Sequence, residues 1–174
     1  MKDMIVLHHT ANPNPKHQAQ MVAAQHLKEP RIRQAGAYHY VIEKDGTVAK
    51  LHTEEFIGNH AGNWAVNLRS IGVCLAGNFV IEKPTLEQLR SFRKLLTDIQ
   101  NRWGIPDKNI KLHSEVRLQP TACPCIDLRA VYFDERRKFL DFRYKDFTKA
   151  HAEATGPRKR LLLRILWRFA KALS

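Results

Sequence analysis

Short apolar runs alternate with longer amphipathic stretches along this chain, and the alternation predicts strands and helices in turn. Nearly continuous apolar runs at Met4–Leu7 and Ser70–Ala76 are typical of buried strands. Two further strand-like runs, Tyr38–Glu43 and Thr47–Leu51, flank an Asp45-Gly46 dipeptide, which is a hairpin signal. These patterns predict two buried strands and a hairpin.

Two stretches have the composition and spacing of helices. Residues 17–28 are rich in helix formers, and an apolar stripe recurs at helical spacing over Leu86–Trp103. Thr85 and Gln88 stand three residues apart at the start of the second stretch, as in a capping box. Gly104 follows its end, where glycine is the favoured helix terminator.

The remaining signals are shorter. An edge-like strand is predicted at Ile110–Leu112, and a helix over residues 126–132. Residues 52–69 predict a long loop, and a loop of that length inside a compact domain is often functional. Because strands and helices alternate, we expect a single three-layer α/β domain over residues 1–145, with a central mixed sheet flanked by helices.

The C-terminal segment, residues 146–174, differs in character. Gly156-Pro157 predicts a hinge, followed by a basic amphipathic helix over residues 158–174. That stretch contains six basic residues and no acidic residue. A basic face beside a wide apolar face with Trp167 is typical of interfacial helices, which predicts binding to an anionic membrane or outer-membrane surface. Docking of the apolar face on the first domain is the alternative.

Composition narrows the class of protein. The chain of 174 residues has a formal net charge of +12, which favours polyanionic surroundings such as nucleic acid, anionic lipid or cell wall. No recognisable nucleic-acid motif is present, so specific nucleic-acid binding is not expected. Three cysteines make no disulfide framework, and neither a usual signal segment nor a membrane-spanning apolar run is seen. We therefore expect synthesis as a soluble cytoplasmic chain.

A candidate metal site combines two distant parts of the sequence. The pair His8-His9 ends the first apolar run, and His113 precedes Cys123 by ten positions. Two imidazoles and a thiolate suit zinc, and three protein ligands leave a fourth position for water, as in catalytic zinc sites. Spacing alone also permits a strand-end histidine at position 8 and a small buried cysteine at position 123.

Seven short motifs in order resemble one enzyme family. They are Leu7–Ala11, Ala37–Ile42 with Asp45–Val48, Asn59–Gly62, Ser70–Val73, Gly77–Phe79, His113–Val116 and Ala122–Pro124. Together they resemble the zinc-dependent N-acetylmuramoyl-L-alanine amidases, which include amidase-type phage lysozymes and peptidoglycan recognition proteins. The resemblance covers roughly residues 4–130 and implies the same three-layer fold.

The resemblance assigns His8, His113 and Cys123 as zinc ligands. Its pattern places the ligand first and a small or polar residue next, so His8 is chosen over His9, whose side chain is expected on the other face of the strand. The Ala-Cys-Pro match favours Cys123 over Cys125, which stands where the family usually has a small residue.

Five other residues receive candidate roles from the resemblance. Tyr38 matches a tyrosine beside the zinc water, where a phenol orients the water or donates to the developing oxyanion. Thr121 stands where phage enzymes commonly carry lysine and recognition proteins often carry threonine, so we expect a catalytic hydroxyl without the lysine's charge. His60, Trp64 and Asn78 are expected to bind substrate in the groove. Packing remains open for Tyr38, and loop shaping for the three groove residues.

The implied activity is zinc-dependent hydrolysis of the amide bond between N-acetylmuramic acid and L-alanine, which lyses the cell wall. The chain resembles a phage or prophage endolysin that acts on peptidoglycan after release from the cytoplasm. A non-catalytic peptidoglycan-binding module of the same fold is the alternative. Retention of all three ligands and of Tyr38 favours the enzyme.

Overall fold

The computed structural model describes residues 1–14, 16–28 and 38–134, without the side chains of residues 25–28. Met1–Tyr132 cluster as one structural unit. The predicted boundary at residue 145 and the predicted helix over residues 158–174 lie outside the described residues and stay predictions. In the described ranges, no helix combines the length and apolar character that crossing a bilayer requires.

Five strands form one mixed sheet. They are β1 (Met4–His9), β2 (Tyr40–Ile42), β3 (Val48–Lys50), β4 (Ser70–Leu75) and β5 (Ile110–Leu112), and their spatial order is β3-β2-β4-β1-β5. β1 runs parallel to both β4 and β5, β2 runs parallel to β4, and β3 pairs antiparallel with β2. The predicted hairpin and the predicted edge position of β5 are both confirmed.

The helices surround this sheet. They are α1 (Gln18–Lys28), α2 (Trp64–Arg69), α3 (Leu86–Trp103) and α4 (His113–Val116), with a 3-10 turn at Asp107–Asn109 and a further helical stretch at residues 128–134. α1 and α3 match their predicted ranges closely. The prediction of a loop throughout residues 52–69 is wrong, because α2 occupies its last turns; α4 was not predicted.

The ends of α3 follow the predicted cap chemistry. The Thr85 hydroxyl accepts from the Gln88 amide, and the Gln88 side chain accepts from the Thr85 amide, each at 3.1 Å. These two bonds satisfy amides that the first turn leaves without helical partners. Gly104 ends the helix in the left-handed conformation with φ of 65°.

The central strands are covered on both faces. All six residues of β4 are buried, as are five of the six in β1. Ala19 of α1 packs with Val41 of β2 and Cys74 of β4, while α3 contributes the buried residues Phe92 and Leu96 to the core. Burial on both faces explains why β1 and β4 are continuously apolar rather than alternating.

The topology places two histidines at one edge of the sheet. β1 and β5 are parallel neighbours with Leu7 paired to Leu112, so the residues that follow, His8 and His113, emerge side by side. Carboxyl ends of parallel strands meet at the same edge, which is where α/β sheets place their sites.

Candidate metal centre

Three side chains from separate segments converge at this edge. His8 of β1, His113 at the start of α4 and Cys123 in the following loop each offer one ligand atom, and these atoms all lie within 4.8 Å of one another. The ring centroids of the two histidines are 4.4 Å apart. His8 is fully buried, whereas the other two are half-buried. The structure therefore brings together the three residues that the resemblance assigned as ligands.

Local hydrogen bonds hold His113 and Cys123 in place. Glu115 accepts from the Leu112 amide at 2.8 Å and so caps α4 at its first turn. The Ser114 amide donates to the Cys123 carbonyl at 2.9 Å. Thr121 Oγ1 accepts from the Cys123 amide at 3.2 Å, so this hydroxyl shapes the loop that carries the cysteine.

The lone pairs of the two imidazoles fit a metal ion. Within the described residues, His8 Nδ1 and His113 Nε2 are buried nitrogens without a hydrogen-bond partner. The other nitrogen of His8 lies 3.0 Å from His60 Nδ1, and the backbone of Ala61 lies near the His113 ring, whose pKa it raises against the larger lowering by burial. One nitrogen toward the metal and the other in a hydrogen bond is the usual arrangement of zinc-binding histidines. With a cysteine sulfur, the donor set suits zinc.

Burial sets the charge state of these groups. Burial, followed by the neighbouring His60 and His113, lowers the pKa of His8 well below its ordinary value. Burial, followed by the Arg117 guanidinium, lowers the pKa of His113 to about 4. Burial raises the pKa of the Cys123 thiol to about 11. Neutral imidazoles keep the lone pairs that a metal requires, whereas the thiol needs a bound cation to lose its proton near neutral pH.

Tyr38 lies beside the cluster. Its ring centroid is 4.9 Å from that of His8, and the residue is half-buried. Burial, followed by the nearby sulfurs of Cys74 and Cys123, raises the pKa of the Tyr38 phenol well above its ordinary value. The phenol therefore keeps its proton and is a hydrogen-bond donor at neutral pH.

His60 lies behind His8 rather than in an open groove. It is 6% exposed, and its Nε2 is 3.2 Å from Ser70 Oγ. Its Nδ1 is engaged with His8, so both ring nitrogens have protein partners. This placement is at odds with the predicted substrate contact, because a buried and doubly engaged ring offers a substrate no polar atom.

The other two predicted groove residues differ from each other. Trp64 begins α2 and is 60% exposed, so its ring is available for contact. Asn78 follows β4 and shapes a turn: its side-chain oxygen accepts from the Val80 amide at 3.2 Å, and its own amide donates to Glu82 at 2.8 Å. Substrate contacts by Trp64 and Asn78 stay predictions.

The two alternative ligands lie outside the cluster. His9 Nδ1 accepts from the Phe79 amide at 3.2 Å, and His9 Nε2 lies 3.7 Å from Cys125 Sγ. Cys125 also has left-handed backbone, with φ of 70°, a conformation that favours glycine. The geometry agrees with the choice of His8 over His9 and of Cys123 over Cys125.

Several supporting residues were not identified from the sequence. Asn67 Oδ1 accepts from the backbone amides of His60 and Ala61, at 3.2 and 2.8 Å. A Cβ on Gly72 would lie 2.8 Å from the His60 ring, so a larger residue at this strand position would have to displace the ring or the strand. A glycine inside an apolar strand is a known signal of close approach, whereas nothing in the sequence pattern marks Asn67.

Comparison with known proteins agrees with this geometry. The family model for N-acetylmuramoyl-L-alanine amidase matches residues 2–126. The chain is 35% identical over 98 residues to the endolysin of Escherichia phage T7, covering 53% of this chain and 60% of that protein. It is 31% identical over 150 residues to a peptidoglycan-recognition protein of Drosophila melanogaster, covering 82% of this chain and 76% of that protein.

Solved structures give the same result. The N-acetylmuramoyl-L-alanine amidase LysC from Clostridium intestinale URNW superposes with a TM-score of 0.64 at 29% identity, covering 78% of this chain and 85% of that one. The predicted α/β fold with a mixed central sheet is thereby confirmed. The phage endolysin match spans 60% of its relative's length, but the family model covers well over half of this chain. The chain belongs to the N-acetylmuramoyl-L-alanine amidase family.

Proposed function

We propose that this protein hydrolyses the amide bond between N-acetylmuramic acid and L-alanine in peptidoglycan, with a zinc ion held by His8, His113 and Cys123. The observation that carries the proposal is the convergence of three ligand atoms within 4.8 Å, two of them on buried or half-buried imidazoles. Bound zinc supplies a nucleophile from water at neutral pH and polarises the amide carbonyl. Family membership supports the substrate and the bond.

The chain's own residues have distinct tasks in this reaction. Tyr38, a protonated phenol beside His8, donates a hydrogen bond to the carbonyl oxygen as that oxygen gains negative charge. Thr121 holds the Cys123 loop through its acceptor lone pair and keeps its hydroxyl proton for donation. The exposed ring of Trp64 contacts the substrate. The carbon–nitrogen bond breaks, and the departing nitrogen takes up a proton to become the free amine of L-alanine.

Digestion of purified peptidoglycan with analysis of both product ends tests this proposal. We expect free N-terminal L-alanine to accumulate without new reducing sugar ends. A chelator should stop the release, and added zinc should restore it. New reducing ends in the first minutes would indicate a glycosidase. Binding to peptidoglycan without any new ends would favour the non-catalytic module.

Two finer proposals rest on the composition of the C-terminal segment and on the relatives of this chain. The basic and apolar composition of residues 158–174 is the basis for proposing that this segment binds an anionic membrane surface. Action on the wall after release from the cytoplasm is proposed by analogy with the phage endolysins. Deletion of residues 157–174 should abolish sedimentation with anionic phospholipid vesicles and preserve activity on purified peptidoglycan. Neither the full chain nor the truncated chain should sediment with zwitterionic vesicles.

A further inference from the structure

A line of hydrogen bonds runs behind the candidate metal centre. His8 Nε2 lies 3.0 Å from His60 Nδ1, and His60 Nε2 lies 3.2 Å from Ser70 Oγ. Ser70 Oγ is 2.6 Å from the backbone carbonyl of Val66. His8, His60 and Ser70 are all buried, so solvent does not compete for these contacts.

The carbonyl at one end determines where every proton sits. A carbonyl oxygen only accepts, so the Ser70 hydroxyl donates to Val66. Ser70 Oγ then offers a lone pair to His60 Nε2, which must carry the proton of that ring. His60 Nδ1 is therefore an acceptor, and His8 Nε2 must be the donor. A neutral His8 with its proton on Nε2 has its lone pair on Nδ1.

A second positive charge nearby disfavours the opposite arrangement. While the Ser70 hydroxyl donates to Val66 at 2.6 Å, reversing the chain requires a second proton on His60 and hence a buried imidazolium. The Lys2 ammonium is itself buried and donates to the Ser70 carbonyl at 2.9 Å, so an imidazolium would add a like charge beside it.

The nitrogen of His8 that this arrangement leaves with a lone pair faces no protein partner among the described residues. Of its two nitrogens, Nδ1 is the buried one without a hydrogen-bond partner in the described part of the chain. We infer that His60 and Ser70 are positioning residues that hold His8 in the Nε2-protonated tautomer and so present its Nδ1 lone pair to the metal. This inference rests on the metal site proposed above.

The same short loop lies beside the second histidine ligand. The side chain of His60 contacts His8, while the backbone of the next residue, Ala61, lies close enough to the His113 ring to influence its pKa. Asn67 accepts from both backbone amides of this pair, which fixes the loop against α2. One loop thus borders both imidazole ligands, so a shift of the loop would disturb both together.

Two substitutions at His60 separate positioning from packing. His60→Leu cannot accept from His8, whereas the amide oxygen of His60→Gln can. Zinc affinity, measured by competition with a chelator of known affinity, should fall about 10–100-fold in His60→Leu. His60→Gln should recover part of that loss. His52→Leu is the matched control, because His52 stacks on Phe56 outside this chain of bonds and should keep wild-type affinity.

A spectroscopic test on the wild type reports the tautomer of His8 directly. Long-range proton–nitrogen correlation spectra of the full-length, metal-stripped wild type should show the His8 proton on Nε2, and Ser70→Ala should give mixed tautomers. A wild-type His8 protonated on Nδ1 overturns the inference, as does a folded His60→Leu whose zinc affinity stays within about twofold of wild type. A wild-type chain that binds no zinc refutes the proposed function, while the tautomer of His8 still decides the inference.

Discussion

Replacing Gly72 with alanine tests how firmly the His60 ring is held behind the metal centre. The new Cβ would lie 2.8 Å from Cγ, 2.9 Å from Cδ2 and 3.0 Å from Nδ1 of that ring. Non-bonded carbon atoms prefer separations of about 3.5–4.0 Å, so the ring or the strand must move by roughly 0.7 Å or more. The ring cannot swing freely, because His8 and Ser70 hold its two nitrogens at 3.0 and 3.2 Å.

The expected cost follows from two opposing effects. Overpacking a well-packed interior destabilises proteins by about 1–3 kcal/mol. Alanine in place of glycine in a strand recovers about 0.5–1 kcal/mol, because glycine loses more backbone freedom on folding. The free energy of unfolding of Gly72→Ala should therefore fall by up to about 2.5 kcal/mol. For a chain of this size the melting temperature should fall by up to about 10 °C.

A double-mutant cycle with His60→Ala attributes this cost to the ring. Equilibrium urea unfolding is measured for wild type, both single variants and the double variant, with chelator present so that metal binding adds nothing. Without the ring, Gly72→Ala should be neutral or stabilise by up to about 1 kcal/mol. An equal cost in both backgrounds would place the strain elsewhere. A gain of stability in the wild-type background would mean that the ring moves freely and that the reasoning is wrong.

Three further predictions concern the centre and its surroundings. Cys123→Ser should lower zinc affinity by about 10²–10³-fold, because one ligand accounts for roughly a quarter of a typical zinc binding free energy. Cys125→Ser should keep the wild-type affinity. The reverse result in a metal titration would exchange the two roles. Tyr38→Phe should slow amide hydrolysis by about 10²–10⁴-fold with zinc retained, and an unchanged rate would reduce Tyr38 to packing. Glu54 is 5% exposed, and although burial raises its pKa, hydrogen bonds, foremost from Arg102, lower that pKa from 4.5 to about 2. This depressed pKa stabilises the fold above about pH 4.5, and the free energy of unfolding should fall by about 2–3 kcal/mol as the pH falls toward 2. Urea unfolding of Glu54→Gln should lack most of that fall.

The elements that deliver the ligands could be predicted because each has a strong local signal. β1 is a continuous apolar run that ends in histidines, and β5 is a short strand with apolar residues at both ends, directly before His113. The capping box at Thr85 and the Asp45-Gly46 turn are short-range patterns whose partners lie within a few residues. Such signals need no knowledge of the tertiary structure, because the hydrogen bonds that satisfy them are local.

α2 could not be predicted for the opposite reason. A helix of six residues is too short to show a periodic pattern or to be stable alone. Its Asn63 cap makes no side-chain capping bond, but Asn67 within it binds the amides of His60 and Ala61. The helix is held by contacts outside itself, and those contacts exist only once the sheet has formed.

The role of His60 was missed because it depends on a partner far away in sequence. His60 and His8 are 52 positions apart, and the contact requires β1 and β4 to be paired. A histidine in a loop rich in glycine and asparagine resembles a groove residue, since exposed loops often carry binding side chains. Gly72 was the available clue: a glycine in the middle of a buried strand indicates that something lies against it.

In the proposed reaction, Thr121 affects how the stabilisation of charge is divided. This chain has a neutral hydroxyl at that position, and its oxygen already accepts from the Cys123 amide. A hydroxyl contributes one donated hydrogen bond and no charge. Under the proposal, the negative charge that develops on the substrate oxygen is then balanced chiefly by the metal and by Tyr38, whose ring centroid lies 4.9 Å from that of His8. Loss of the Tyr38 hydroxyl should therefore slow hydrolysis more than it would if position 121 carried a lysine.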